Sequence, residues 1–312
     1  MKQHQKITII GAGHVGSHCA MALAWQEMVE EIVLVDLDRD KADAQAQDVA
    51  DALSFPPRRT MLRGGDYADC ADADIVVVAV GKARLPGQTR LDMLGDSAVM
   101  LHDVVSRLKP LAPTGIFITI TNPADIIADY LRRGLELPRE RVFGTGTLLD
   151  TARLIRILSE ESGVSRASIE AFSMGEHGDS SMIPFSQIRI GGIAYDSISG
   201  LERAHILERT HQTGMDIIDG KKSTEFGIGQ CLSVLCRAII HDEQRILPVS
   251  VLLEGEYGQR DVHCGVPCRI GRAGVCEVVE LPLTQQESQQ LDTSCQIVKQ
   301  HIAKAQAVAP LD

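Results

Sequence analysis

Short apolar runs alternate with longer amphipathic stretches through the first half of the chain. Residues 6–10 (KITII) form a compact apolar block, followed by a glycine-rich turn and an alanine-rich helical stretch reaching about residue 26. A second block at 31–36 (EIVLVD) precedes a helical pattern over 41–53, and near-continuous β-branched runs follow at 74–80 and 115–120. Strands that read as unbroken apolar runs suit a parallel sheet covered by helices on both faces. The strand–helix–strand order therefore predicts a Rossmann-type, doubly wound α/β domain over residues 1–145.

The second half has a different rhythm. Residues 186–193 (SQIRIGGI) and 274–281 (GVCEVVEL) read as antiparallel strands between long helical stretches. A last helix is announced by the capping box of Thr284 and Glu287, with Leu291, Cys295, Val298 and Ile302 at helical spacing. An α+β domain over 146–312 is predicted. No repeat, low-complexity tract or Pro-rich linker separates the halves, so a cleft between two closely packed domains is the default ligand site.

Composition narrows the class. A chain of 312 residues fits two domains and can bury a core without a metal or disulfide staple. A net charge of −11 argues against a nucleic-acid partner, which would call for a basic patch. The longest apolar runs fall far short of a membrane span, and the first ten residues lack a signal-peptide pattern, so a soluble, cytoplasmic protein is expected. The eight cysteines are then expected to be reduced thiols. Cys264, Cys268 and Cys276 lack the spacing of a zinc site, and no metal is expected.

Chemistry enters at Gly11, Gly13 and Gly16, the G-x-G-x-x-G of GAGHVG between the first strand and its helix. The first glycine permits a tight turn, the second lets backbone approach a pyrophosphate, and the third allows close helix packing. Asp36, closing the next strand, would accept the ribose hydroxyls and repel a 2′-phosphate, which favours NAD over NADP. Four further segments carry reactive groups: 81–90 (GKARLPGQTR), 121–123 (TNP), 149–153 (LDTAR) and 175–180 (GEHGDS). Such a set can reduce a ketone beside a carboxylate. An arginine fork grips the carboxylate, a histidinium protonates the oxygen, a carboxylate orients that imidazole, and a second cation polarises the carbonyl.

With these segments, LEGEYG at 253–258 and GVP at 265–267, the sequence resembles the L-lactate/malate dehydrogenase family over nearly its whole length. The resemblance implies that His177 is the proton donor and Asp150 its orienting partner. It makes Arg153 the carboxylate clamp, Arg90 the carbonyl-polarising cation on a loop that closes over substrate, and Asn122 a contact to substrate and nicotinamide. It also implies that Val15, Asp36, Lys41, Tyr67, Gly81 and Thr145 line the cofactor with the glycines, and that the protein is a homotetramer or a dimer. Substrate signals conflict. Arg84 matches the malate-like position that would pair a second carboxylate. The stretch 144–147 (GTGT), Glu176 and Thr224, the family's pocket threonine, look lactate-like. The expectation is L-lactate dehydrogenase acting on 2-oxo and 2-hydroxy acids, with L-malate dehydrogenase as the alternative. An NAD-dependent glycosidase and a non-catalytic NAD sensor are the readings from other classes.

Many bacterial lactate dehydrogenases bind fructose 1,6-bisphosphate through an Arg and a His, whose matching positions here are Ile155 and Glu170. Neither can hold a phosphate. Pyruvate saturation curves with and without millimolar sugar bisphosphate should therefore superimpose. A leftward shift equivalent to a coupling of about 1–3 kcal/mol would overturn this expectation.

Overall fold

The computed structural model describes residues 5–55, 58–81, 90–308 and 310, without the side chains of 90–96, 98 and 308. Arg84 thus lies outside the described residues, and Arg90 is placed by its backbone alone. The first half runs β1 (Lys6–Ile10), α1 (His14–Ala24), β2 (Glu31–Val35), α2 (Arg39–Ala52), β3 (Met61–Gly65), β4 (Ile75–Val78), α3 (Arg90–Leu108), β5 (Ile116–Thr119), α4 (Ala124–Leu135) and β6 (Val142–Gly144). These six strands are parallel, in the order β3-β2-β1-β4-β5-β6, with Ile7 of β1 aligned to Ile32 and Ile75 on either side. That order is the Rossmann arrangement of two half-sheets meeting at β1 and β4.

The apolar runs fold this way because both faces of each strand must be covered. Ile7, Ile9, Ile32, Leu34, Ile75, Val77, Ile116, Ile118 and Phe143 point into one layer with Cys19 and Leu23 of α1 and Ala42 and Val49 of α2. Their neighbours Ile10, Val33, Val35, Val76, Val78, Phe117 and Val142 point into the opposite layer with Leu101, Val104 and Leu108 of α3 and Tyr130 and Leu131 of α4. The two-residue alternation of the strands thus feeds two cores at once.

The second half runs α5 (Leu148–Ser162), β7 (Ile169–Glu170), β8 (Arg189–Ile190), β9 (Ile193–Ala194), α6 (Arg203–Lys221), α7 (Phe226–Ile240), β10 (Arg245–Glu254), β11 (Arg260–Gly271), β12 (Gly274–Val278) and α8 (Gln285–Val308). The long β10–β11 hairpin and β12 do not form a separate sheet. They extend the parallel one antiparallel beyond β6, where Ser250 pairs with Gly144, to make nine strands. Residues 186–193 depart from the single strand read from the sequence. A 3-10 turn at Phe185–Gln187 precedes two short strands joined by Gly191 (φ 58) and Gly192 (φ 81). Two successive positive-φ residues build the tight hairpin turn that matches strand twist, so this segment doubles back. The third cluster packs Leu154, Ile157 and Leu158 of α5 against Ile188, Ile190, Tyr195 and Ile206.

Functional segments follow from the sheet direction. Gly11, Asp36, Gly81, Asn122 and Thr145 each lie just beyond the carboxyl end of a parallel strand. Ligands of open α/β sheets bind at that edge. The chain leaves β6 through Gly146, whose φ of +49 and whose closeness to Ser250, 2.4 Å from an added Cβ to its backbone N, exclude a side chain. It then enters α5. Among the described residues no helix is long and apolar enough to cross a membrane.

Phe143 is fully buried in β6, the strand that joins the parallel and antiparallel parts of the sheet. Phe143→Ala should lower unfolding free energy by about 3–5 kcal/mol. The check is a lower urea midpoint at unchanged m-value.

Candidate active site

The glycine loop separates its three roles physically. Gly11 turns with φ +107, and a side chain there would strike the Ala79 carbonyl at 2.5 Å. A Cβ on Gly16 would meet the Gly11 carbonyl at 1.8 Å. At Gly13 and Gly81, in contrast, an added Cβ would meet nothing within 4 Å among the described residues, which leaves both backbones open to a ligand there. Gly13 also N-caps α1 without a side-chain cap and without an acidic residue in the first turn. The first amides of that helix are left to receive phosphate oxygens.

Asp36 braces this cradle. Its Oδ2 accepts from the Ala12 backbone N at 2.8 Å and from Lys41 Nζ at 3.0 Å, and its Oδ1 accepts from Asp38 N at 3.2 Å. Burial alone would raise its pKa, but the Lys41 hydrogen bond and the two amides outweigh that and hold the carboxyl below its usual range. The ion keeps acceptor capacity for ribose hydroxyls. Tyr67 begins a 3-10 turn after β3 and stacks under the Arg107 guanidinium, 5.3 Å from its ring centre. Val15 is half-buried in α1, Thr145 is buried after β6, and Asn122 is exposed after β5. The residues present fit a dinucleotide with an unphosphorylated adenosine ribose.

The second centre forms where α5 meets the loop carrying His177. Asp150, in the first turn of α5, accepts from His177 Nδ1 at 2.6 Å through Oδ2 and from Arg153 at 3.0 Å through Oδ1. A carboxylate only accepts, so Nδ1 carries the hydrogen and Nε2 remains for a ligand. All three side chains are largely buried, 11%, 21% and 12% exposed for Asp150, His177 and Arg153. Burial would raise Asp150, yet the charges and hydrogen bonds of His177 and then Arg153 hold its pKa down. For His177 the Asp150 charge dominates, outweighs burial and raises the imidazole pKa.

The His177 loop is held by its backbone as well. Gly175 N donates to the Gly265 carbonyl on β11 at 2.9 Å, Glu176 N to Ser294 Oγ on α8 at 2.8 Å, and His177 N to Asp125 Oδ2 on α4 at 2.9 Å. Three consecutive amides thus reach three different elements. Asp125, Ser294 and Ser250 carry no motif that marks them in the sequence. Asp125 reads there as an ordinary first-turn helix acid. Gly214 is a similar omission. It interrupts α6 at the Arg153 guanidinium, whose nitrogen would lie 3.1 Å from an added Cβ. Thr224 sits half-buried between α6 and α7.

The glycine cradle at the edge of the sheet and the buried Asp150–His177–Arg153 cluster suit an oxidoreductase that uses a nicotinamide dinucleotide. Comparison with known proteins agrees. Residues 5–144 match the lactate/malate dehydrogenase NAD binding domain, and residues 147–309 match the alpha/beta C-terminal domain of the same enzymes. The chain belongs to the lactate/malate dehydrogenase family, and its cofactor is NAD. It is 40% identical to the L-lactate dehydrogenase of Fusobacterium nucleatum subsp. nucleatum over 97% of each chain. It is also 40% identical to L-lactate dehydrogenase 3 of Bacillus thuringiensis subsp. konkukian, over 97% of this chain and 98% of that one. Among solved structures, the minor L-lactate dehydrogenase of Enterococcus mundtii superposes with a TM-score of 0.93 at 33% identity, covering 97% of this chain and 98% of that one. A lactate dehydrogenase from a Medee basin deep-sea metagenome library gives the same TM-score at 34% identity, over 97% and 99%.

Asp150→Asn should lower the His177 pKa, because it removes the charge that contributes most to raising it. Histidine NMR titration of the cofactor-free protein measures this. An unchanged midpoint in the folded variant would contradict the electrostatic assignment.

Proposed function

We propose that the chain is an L-lactate dehydrogenase that interconverts pyruvate and L-lactate with NADH and NAD. The observation that carries this reading is Asp150 bonded at once to His177 and Arg153. It supports reading His177 as proton donor and Arg153 as carboxylate clamp, both tied to one buried anchor. The similarity to enzymes named L-lactate dehydrogenase favours pyruvate over oxaloacetate.

In this reading Arg153 holds the substrate carboxylate with its guanidinium fork, set flat against α6 by the missing side chain at Gly214. His177 donates its Nε2 proton to the carbonyl oxygen, and Asp150 keeps the ring oriented and favours its protonated form. Proton donation weakens as pH rises through the elevated His177 pKa, while the reverse oxidation requires the neutral ring. Arg90, at the start of α3, polarises the carbonyl, Asn122 contacts substrate and nicotinamide, and Thr224 lines the pocket. Gly11, Gly13, Val15, Gly16, Asp36, Lys41, Tyr67, Gly81, Asn122 and Thr145 would hold NAD, with the adenosine ribose at Asp36. Bound as NADH, the cofactor supplies the two electrons and one hydrogen that reduce the 2-oxo carbon.

We further infer a cytoplasmic homotetramer, or a dimer, without bisphosphate activation. The exposed side chains of Leu37 (77%), Phe55 (90%) and Phe226 (69%) leave apolar surface that other subunits could cover. Ile155 packs partly against the third apolar cluster and Glu170 carries an exposed acid, which supports the absence of a phosphate site at those positions.

The test compares kcat/KM for pyruvate and oxaloacetate in wild type and Arg84→Gln. Wild type should prefer pyruvate, and the substitution should damage oxaloacetate reduction selectively if Arg84 pairs a second carboxylate. A wild-type preference for oxaloacetate would replace the lactate reading with the malate one.

A further inference from the structure

Behind His177 lies a second carboxylate that the reaction as described does not use. Asp125 is 3% exposed at the start of α4. Its Oδ2 accepts the His177 backbone N–H at 2.9 Å, and its Oδ1 accepts the hydroxyl of Ser250 on β10 at 2.6 Å. A cleft of about 10 Å3, room for roughly one water, is lined by Asp125, Glu176, His177 and His301. Among the described residues, the charged groups that act on the imidazole are Asp150 and Arg153 from α5 and Asp125 from α4. Glu176 stands in the same loop, with His301 of α8 3.9 Å from its carboxylate.

A buried carboxylate used only as a hydrogen-bond acceptor could be replaced by a neutral group at no cost to charge. Here that economy is absent, because the negative charge of Asp125 acts on His177 and raises its pKa alongside Asp150. The coupling is mutual. Burial pushes the Asp125 carboxyl up to about 6, with Glu176 adding to the rise, while Ser250 and His177 pull it down. Two titrating groups that sense each other set a joint protonation state.

We propose that Asp125 is a positioning residue of the dehydrogenase reaction: it pins the main chain of His177 to α4 and β10 and sets a buried carboxylate beside that residue. This rests on the reading of His177 as proton donor. Asp125 touches neither substrate nor reacting atoms, so its effect passes through His177 alone.

Asp125→Asn separates the two contributions. The amide oxygen can still accept from His177 N, and its NH2 can donate to Ser250, whose hydroxyl serves either role. Histidine NMR titration of the cofactor-free variant should show the His177 midpoint lowered, by on the order of one unit or less for the loss of a neighbouring charge. The pH at which pyruvate kcat/KM falls should move down with it, while KM at acidic pH stays near wild type because Arg153 is intact. A folded variant whose His177 titration overlays wild type overturns the proposal. If the variant does not fold, the wild-type curve decides. Coupling to Asp125 gives His177 resonances a two-step titration with one inflection near 6, and a single-step curve overturns it. Because NMR reads the free protein, failure here is distinguishable from failure of the lactate reading, which would appear as wild-type protein inactive on pyruvate.

Discussion

The geometry of the reacting centre depends on a single buried carboxylate having two cationic neighbours. Asp150 is too enclosed to remain charged without them, and Arg153 and His177 are too enclosed to remain charged without it. Removing one member of a buried pair costs about 3–5 kcal/mol, because the survivor is left uncompensated. The first turn of α5 adds the positive end of a helix dipole to the same carboxylate. The Arg153 guanidinium and the His177 imidazole are thereby fixed relative to each other by one group. Neither can drift without weakening the bond that sustains the other.

Such an anchor is useful only if the frame around it is stiff, and the sheet supplies that. Extending the parallel strands with β10 to β12 puts β10, β11 and β6 in one continuous layer. Gly144 of β6 pairs with Ser250 of β10, and Ser250 binds the carboxylate that holds His177 N. The histidine therefore inherits its position from the nucleotide half of the sheet, through two hydrogen bonds and one strand pairing. Its loop carries no regular structure, yet its amides at 175, 176 and 177 are all satisfied by protein groups. A loop whose donors are spoken for cannot readily re-form elsewhere.

These features differ in how far they could be read from the chain. The parallel core was legible because β-branched runs such as 74–80 suit buried strands, and the glycine loop because two close approaches, at Gly11 and Gly16, flank a backbone left open at Gly13. His177, Asp150 and Arg153 were legible through their motifs and resemblance, and the structure brings them within hydrogen-bond reach. The β10–β11 hairpin was hidden. Pro248 and Pro267 argue locally against central strands, yet they sit opposite one another, and neither is paired in register with a third strand. Asp125, Ser250 and Ser294 were invisible for another reason. Each acts on a residue dozens to more than a hundred positions away, so only the closed fold gives its side chain meaning. Arg84, where the sequence signals conflict most, falls outside the described residues.

The charge of −11 and the anionic substrate fit together once the site is resolved group by group. On the proposed reading Arg153 holds the 2-oxo carboxylate, while Asp150 and Asp125 bias the neighbouring His177 ring toward its protonated form. On the proposed reading, binding and protonation are then linked. An anion that binds better to the imidazolium raises the His177 pKa by the same free energy through which protonation tightens its binding. The carboxylates around the ring shift it toward its charged form before substrate arrives, and a substrate carboxylate would shift it further in the same direction. The excess acidity of the chain works in the same direction wherever it lies near this histidine. Asp125 and Asp150 both raise the His177 pKa, so the acids of this chain favour a proton on that ring rather than oppose it.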